Sequence, residues 1–162
     1  MQLVRMFSRI LAVFALGGAL GSTLAANEVT AVWERIYRQA VSDDQRYAVM
    51  LKIMELKNKD FAPLISESLD KLFVSKIESP DSSQTRSKLA LAKLLVQELG
   101  NLKSLDDAQL VVNVYRDVND PFLKSESAIA LGKMRATEFV ELLARDLSDL
   151  NLRPDQANPR PQ

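Results

Sequence analysis

The feature that most constrains the fold is an internal repeat, in which the 162-residue chain aligns with itself without a gap at a shift of 78 residues. Ser42 then aligns with Asp120, Phe61 aligns with Phe139, and the matched apolar residues recur at helical spacing. The pattern predicts a duplicated pair of helices whose matched apolar positions are buried. The other matched pairs are Arg46 and Lys124, Met50 and Ala128, Ile53 and Leu131, Leu56 and Met134, Leu64 and Leu142, Ile65 and Leu143, Leu69 and Leu147, and Leu72 and Leu150.

A third copy is predicted between these two, because Asp81 is equally distant from Ser42 and Asp120. This middle copy has either about two extra helical turns or a longer loop. Because one two-helix hairpin leaves an apolar face open, the three hairpins must stack to close one core. In its second half, the aligned pairs are Ala108 and Phe139, Val111 and Leu142, and Val112 and Leu143.

Local signals also favour helices over strands. After residue 26 the chain has only two glycines, Gly100 and Gly132, and helices tolerate such sparse breakers better than strands do. Ser42 and Gln45 have the spacing of a capping box, which predicts a helix start. A further helix is predicted before the repeats, at residues 27–41, because its apolar residues share one face. These are Val29, Val32, Trp33, Ile36, Tyr37 and Ala40, with Trp33 and Tyr37 expected to pack inward.

The last copy carries a recognisable motif: it opens with Asp120-Pro121, continues with an aliphatic and a basic residue, and ends in an alanine-rich run before Leu131-Gly132. In these features it resembles a HEAT repeat of the short type found in phycobilisome-lyase-like proteins, best over residues 120–150. The matching residues are Asp120, Pro121, Leu123, Lys124, Ala128, Ala130, Leu131 and Gly132, with lysine at position 124 where the family usually has arginine. The middle copy keeps Leu99-Gly100, and the first copy has neither the proline nor the glycine.

The resemblance to the HEAT-repeat family implies an all-α fold, a right-handed stack of antiparallel helical hairpins that forms a short α-solenoid of seven helices. It implies a fold and not a reaction. The last hairpin either covers its own open side with polar residues or offers that side as a contact surface. The polar residues in question are Glu141, Arg145, Asp146 and Asp149.

The amino-terminal residues 1–26 have the layout of a secretory signal peptide. Arg5 and Arg9 precede an apolar run, and small residues follow it up to Ala25 or Ala26, where cleavage is expected. The run is shorter than the ~20 residues that span a membrane, although an uncleaved anchor is the alternative. The predicted organisation is a signal peptide at 1–26, an amino-terminal capping helix at 27–41, three HEAT-like hairpins at 42–151 and a disordered proline-rich tail at 152–162. We therefore expect an exported protein, periplasmic or secreted, without a transmembrane helix in the mature chain.

The composition excludes several chemistries. The chain has no cysteine and no histidine, which rules out disulfides, thiol nucleophiles, a Ser-His-Asp triad and zinc sites built on these residues. Its 21 basic and 21 acidic residues include no basic cluster of the kind that binds nucleic acid. Acidic residues such as Asp43 and Asp120 lie at predicted helix starts, where they cap the helix. We therefore expect no enzymatic activity, no cofactor and no metal.

The predicted function is binding of another protein or peptide, because stacked hairpins offer extended surfaces without special residues. In HEAT-like stacks the second helix of each hairpin usually lines the concave face, so its polar residues are the candidates for partner contact. They are Glu67, Lys71, Asn113, Arg116, Glu141 and Arg145. One alternative, suggested only by the resemblance, is a carrier of a bilin-like or lipid-like molecule or a lyase-like enzyme. The other is a membrane-tethered structural subunit.

Overall fold

The computed structural model describes residues 22–74 and 83–152, and every regular element in these ranges is helical. The α-helices are α1 (Ser22–Gln39), α2 (Asp43–Glu55), α3 (Ala62–Val74), α4 (Ser83–Leu102), α5 (Ala108–Asp117), α6 (Pro121–Met134) and α7 (Val140–Leu152). This confirms the all-α prediction with its seven helices. Residues 1–21, most of the proposed signal peptide, lie outside the described ranges, as do Asp81 and nearly all of the proposed tail. Helix α1 begins at Ser22, before the predicted start at residue 27.

The chain divides into two compact units, Met1–Val32 and Trp33–Gln162. The described part of the first unit is the amino-terminal portion of α1. The second unit contains the end of α1 and all the other helices, and the repeat lies within it. Over both described ranges, no helix combines the length and the apolar character that crossing a membrane requires.

Within the second unit, the first helices of the hairpins form one layer. Helix α4 packs against both α2 and α6. The second helices α3 and α5 pack against the first helix of the following hairpin, α4 and α6 respectively, and α3 also contacts α5. Each hairpin therefore contacts the next one through both of its helices, which is the arrangement of a helical repeat stack.

The three hairpins share one connecting turn. Each first helix is followed by a residue with left-handed backbone, Lys57, Lys103 or Arg135, whose φ angles are 50°, 55° and 61°. After one further residue, a short 3-10 turn leads into the second helix. These turns are Lys59–Phe61, Leu105–Asp107 and Thr137–Phe139. Lys57 and Arg135 are 78 positions apart, so the backbone follows the repeat that the sequence predicted.

The middle hairpin differs from the others in length and register. Helix α4 has 20 residues, compared with 13 in α2 and 14 in α6, so the extra length of the middle copy is helix. The shared turn aligns Lys103 with Arg135, which makes Val111 the equivalent of Leu143. The sequence alignment, which paired Val112 with Leu143, was therefore wrong by one residue.

Helix α1 occupies the position of a second helix in the repeat. It ends at Gln39 and α5 ends at Asp117, again 78 positions apart. Tyr37 thus corresponds to Tyr115, and both side chains are buried. As expected, Trp33 packs against the core that includes Tyr37. The sequence alignment missed this correspondence because it began at Ser42.

The core of the second unit draws large buried side chains from all three hairpins. Burying a side chain of this size stabilises the fold by about 1.5–3 kcal/mol. They include Met50, Ile53, Phe61, Ile65, Leu69, Leu91, Leu95, Leu99, Val111, Leu123 and Leu131.

Three apolar residues that the sequence predicted to be buried are exposed: Val32, Leu56 and Leu147. Val32 lies on α1 in the first unit. Leu56 is the C-cap of α2, next to the left-handed residue Lys57, and none of the described elements covers Leu147.

Candidate functional site

The two first helices α4 and α6 touch through their backbones at Gly100. A Cβ atom at this position would lie 2.8 Å from Cα of Ala130 and 2.9 Å from its Cβ, closer than real Cβ atoms approach other heavy atoms. Only glycine allows this approach of the two helices. The surface of α4 at Gly100 is therefore a helix-binding surface, and its occupant is α6.

Gly132 stands at the corresponding position of α6. Each glycine lies three residues before the left-handed residue of its own hairpin, Lys103 or Arg135. Unlike Gly100, Gly132 is exposed, and a Cβ atom there would have no heavy atom of the described residues within 4 Å. The last hairpin thus repeats the helix-binding position of the middle one without an occupant among the described residues.

Large apolar side chains are exposed on both helices of the last hairpin. Phe122 and Ile129 share a face of α6 with Gly132, and their exposed fractions are 71% and 49%. Val140 and Leu147, on one stripe of α7, are 56% and 60% exposed. We call the surface formed by Phe122, Ile129, Gly132, Val140 and Leu147 the open edge.

The middle hairpin shows what normally covers such a surface. In α5, the equivalents of Val140, Ala144 and Leu147 are Ala108, Val112 and Tyr115, and all three are buried. The last hairpin contributes to the cover of Tyr115. This tyrosine donates a hydrogen bond to Asp146 of α7, and the ammonium group of Lys124 lies 5.1 Å from the centroid of its ring.

The apolar character of the open edge is specific to the last hairpin. In α4 the equivalents of Phe122 and Ile129 are Ala90 and Gln97, both exposed. Two exposed positions that are small or polar in the middle hairpin are therefore large and apolar in the last. The ammonium group of Lys93 lies 5.2 Å from the centroid of the Phe122 ring and still leaves most of this residue exposed.

The residues predicted to contact a partner all lie on second helices. Glu67, Asn113 and Arg145 are each the tenth residue after the left-handed residue of their hairpin, so they are equivalent positions in α3, α5 and α7. Arg116 and Glu141 are exposed on α5 and α7. Of the two alternatives for the last hairpin, a polar cover by Glu141, Arg145, Asp146 and Asp149 or a contact surface, the exposure of Val140 and Leu147 on the same helix favours the contact surface.

The charged residues of α3 are held in ion pairs. Glu67 accepts hydrogen bonds from both terminal nitrogens of Arg38, at 2.9 and 2.7 Å, and from the ammonium group of Lys71 at 2.5 Å. The hydrogen bonds from Arg38 and Lys71 lower the pKa of Glu67 from 4.5 to about 2. The structure thus brings Glu67 and Lys71 together and links Glu67 to α1. At the equivalent position of α5, Asn113 accepts a hydrogen bond from the Gln109 amide at 3.0 Å.

A second candidate is a cleft of about 520 Å³ bounded by residues of α1, α2, α3 and α4. Its basic side chains are those of Arg38, Arg46, Lys71 and Lys88, which by number favour an anion. However, Arg46 is paired with Asp43 at 2.8 Å, and Arg38 and Lys71 are paired with Glu67. Because an anionic ligand would have to displace these carboxylates, the cleft is a weaker candidate than the open edge.

Metal binding has no support within residues 22–74 and 83–152, where no group of three or more acidic side chains is placed to hold an ion.

The sequence prediction left open whether the last hairpin has a contact surface, and it did not single out Phe122, Ile129 or Gly132. The sequence does contain a signal for these residues, because a terminal repeat with apolar residues at outward positions lacks the polar face that a cap requires.

Comparisons of this chain with protein-family models, with curated proteins and with solved structures find no match.

Proposed function

We propose that this chain is an exported helical-repeat protein of the short HEAT type that binds another protein through the open edge and has no catalytic activity of its own. The observation that supports this function is the exposure of four large apolar side chains on the last hairpin: Phe122, Ile129, Val140 and Leu147. Clustered exposed apolar residues bordered by polar ones mark interaction sites. With a signal peptide cleaved near Ala25 or Ala26, the partner is expected in the periplasm or outside the cell.

Polar residues next to the open edge complete the proposed interface. Protein interfaces combine an apolar centre with a polar rim. Glu141 follows Val140 on α7 and belongs to the rim. Arg145 lies two positions before Leu147 and therefore on the other side of α7, outside the rim. Glu67 pairs with Arg38 of α1 and with Lys71 of its own helix, and the proposed interface does not include Glu67 or Lys71.

The test places a photo-crosslinking amino acid at Phe122 in the tagged full chain, expressed in its native host. The matched control carries the same group at Lys52, which is exposed on α2 of the first hairpin. We expect an adduct with one reproducible protein, identified by mass spectrometry, from position 122 and not from position 52. Combining the crosslinker with Leu147→Asp should reduce this adduct by about tenfold, because a carboxylate at the interface would be desolvated without a partner.

The binding is then reconstituted with the purified adduct protein. Wild-type chain should bind it and the Leu147→Asp chain should not, with unchanged helicity by circular dichroism because Leu147 is exposed. Equal adducts from both positions, or reconstituted binding that Leu147→Asp leaves unchanged, would exclude the open edge as the binding surface.

A further inference from the structure

The contact between α4 and α6 shows which kind of element this type of surface accepts. At Gly100 the occupant is an α-helix that presents a small residue, Ala130, to the glycine. The buried stripe of α6 consists of Leu123, Ser127, Ala130, Leu131 and Met134. These residues are spaced at 0, 4, 7, 8 and 11, which is the pattern of one helix face.

The last hairpin carries the same surface one repeat further along. Gly132 repeats Gly100, and the shared turn at Lys103 and Arg135 places each glycine at the same distance from its second helix. On the neighbouring helix, Val140, Ala144 and Leu147 repeat Ala108, Val112 and Tyr115 of α5, which are buried, and the last hairpin contacts Tyr115. The glycine and these three positions of the middle hairpin are therefore repeated in the last one, and among the described residues only those of the middle hairpin are covered.

We propose that the open edge binds an amphipathic helix of a different protein, which crosses α6 at Gly132 in the way that α6 crosses α4 at Gly100. This inference rests on the proposed function and specifies its partner. The partner helix carries alanine, glycine or serine at the crossing, because a larger side chain would hold its backbone away from Gly132. Apolar residues one turn away on either side cover Val140 and Leu147, whose equivalents in α5 are buried, and Ile129 lies at the border of the contact, as exposed Gln97 does in α4.

A second copy of this chain does not fit the same surface. In an end-to-end stack its α2 would take the place that α6 takes on α4, and the equivalent of Ala130 in α2 is Lys52. Lys52 is exposed and pairs with Glu55 at 2.9 Å. Docking would bury its ammonium group against the backbone at Gly132, which is costly without a buried acceptor. If the open edge of one chain bound the first hairpin of the next, the chains would assemble into filaments. The cost of burying Lys52 disfavours this assembly.

The probe for this inference is a fluorescein-labelled synthetic peptide with the α6 sequence, residues 119–135, held helical by a staple on its solvent face. It is titrated with the purified full chain, and binding is measured by fluorescence anisotropy. The matched control peptide carries Ala130→Lys, which reproduces the residue that α2 has at this position. We expect the control peptide to bind at least about tenfold more weakly than the α6 peptide.

The chain variant Gly132→Ala tests the crossing point. Its added methyl group has free space in the unbound chain, so the fold stays intact, but it occupies the place that the peptide backbone needs. We expect about tenfold weaker binding of the α6 peptide to this variant. The control variant is Lys88→Ala on α4, outside the open edge, and it should bind the peptide like wild type. No binding of the α6 peptide up to millimolar concentration, or equal binding to wild type and Gly132→Ala, would overturn the proposed crossing.

Analytical ultracentrifugation of the full chain tests the second-copy alternative. We expect a monomer at all concentrations, and self-assembly that Gly132→Ala abolishes would overturn the choice of a different protein as partner. The peptide experiment does not involve the natural partner. If the peptide does not bind, the proposed helix crossing is contradicted, but a protein crosslinked at Phe122 would still support the proposed function. Conversely, absence of an adduct would refute the proposed function even if the peptide bound.

Discussion

Gly100 of α4 lies directly against the backbone of Ala130 in α6, so that a Cβ atom at Gly100 would come within 2.8 Å of the Ala130 Cα. The obstacle is backbone, which cannot rotate away as a side chain can. Gly100→Ala therefore forces the two helices apart and should lower the free energy of unfolding by about 1–3 kcal/mol. Urea unfolding monitored by circular dichroism measures this change.

Gly132→Ala is the matched control for that prediction. It makes the same substitution at the same position of the repeat, where no described atom would meet the new methyl group. Since alanine is the better helix former, Gly132→Ala should raise the free energy of unfolding by about 0.5–1 kcal/mol. Changes of the same sign at both glycines would contradict the close contact at Gly100.

Leu69 and Leu147 are equivalent residues of the first and last hairpins with opposite environments. Leu69 is fully buried, whereas Leu147 is 60% exposed and is covered by none of the described elements. We expect Leu69→Ala to lower the free energy of unfolding by about 2–5 kcal/mol and Leu147→Ala to change it by less than about 0.5 kcal/mol. Similar losses in the two variants would mean that the last hairpin is covered in solution.

Local features of this fold could be predicted from the sequence because they depend on neighbouring residues. Ser42 accepts a hydrogen bond from the backbone N–H of Gln45 at 3.2 Å, as the capping-box spacing predicted. Asp120 likewise accepts one from the backbone N–H of Leu123 at 2.7 Å and begins α6. The repeat of 78 residues predicted the equivalence of the outer hairpins for the same reason, since both have the same turn and their helices differ in length by at most one residue.

Features that depend on neighbours in space could not be predicted in this way. The sequence assigned equal burial to equivalent residues, yet burial of Leu147 depends on a following hairpin. The need for glycine at position 100 likewise comes from Ala130, thirty residues further along the chain. The correspondence of Tyr37 and Tyr115 was missed because only a few residues match there and they precede the capping residue. The candidate site therefore emerged from comparison of the hairpins in the structure.

The pH dependence of stability should reveal the ion pair between Arg38 and Glu67. Because the folded chain lowers the pKa of Glu67 from 4.5 to about 2, the Glu67 carboxylate stabilises the fold above pH 4.5. This contribution is lost as the pH falls from 4.5 towards 2. Wild type should therefore exceed Glu67→Gln in stability at pH 7, with the difference shrinking over that interval and with added salt, which screens exposed pairs.

Thermal unfolding of both chains at several pH values measures this difference. Glu138→Gln, at an exposed glutamate in the last 3-10 turn, is the control, since the structure gives Glu138 no ion pair among the described residues. A constant difference between wild type and Glu67→Gln from pH 7 to pH 2 would argue against the pair.

Glu98 should show the opposite pH dependence. Its side chain is buried on α4 and accepts a hydrogen bond from the Asn101 amide at 3.2 Å, and Lys133 donates to the same amide at 2.9 Å. Burial raises the pKa of Glu98, although the Asn101 hydrogen bond and the Lys133 charge oppose this. A carboxyl with a raised pKa favours the fold below pH 4.5 and loses that advantage as the pH rises through its folded pKa.

Glu98→Gln keeps the shape of the side chain without its charge. Its melting temperature should exceed that of wild type at pH 7, and the gain should disappear near pH 3, where Glu98 is protonated in both the folded and the unfolded chain. Differential scanning calorimetry at the two pH values provides the measurement. A gain of equal size at both would show that burial of the charge is not its cause.

The left-handed residues Lys57, Lys103 and Arg135 predict a stabilisation that all three turns share. A residue with a Cβ atom pays about 1–2 kcal/mol in this conformation, which glycine adopts without strain. Part of the gain is offset because glycine has more conformational freedom in the unfolded chain. Each change to glycine should therefore raise the free energy of unfolding by about 0.5–1 kcal/mol, and the triple variant should add the three effects because each acts on its own turn. The control is Lys59→Gly, two residues beyond Lys57 at a position without positive φ, which should lower the free energy of unfolding. If Arg135→Gly lowered the free energy of unfolding by a similar amount, the three hairpins would not share this turn in solution.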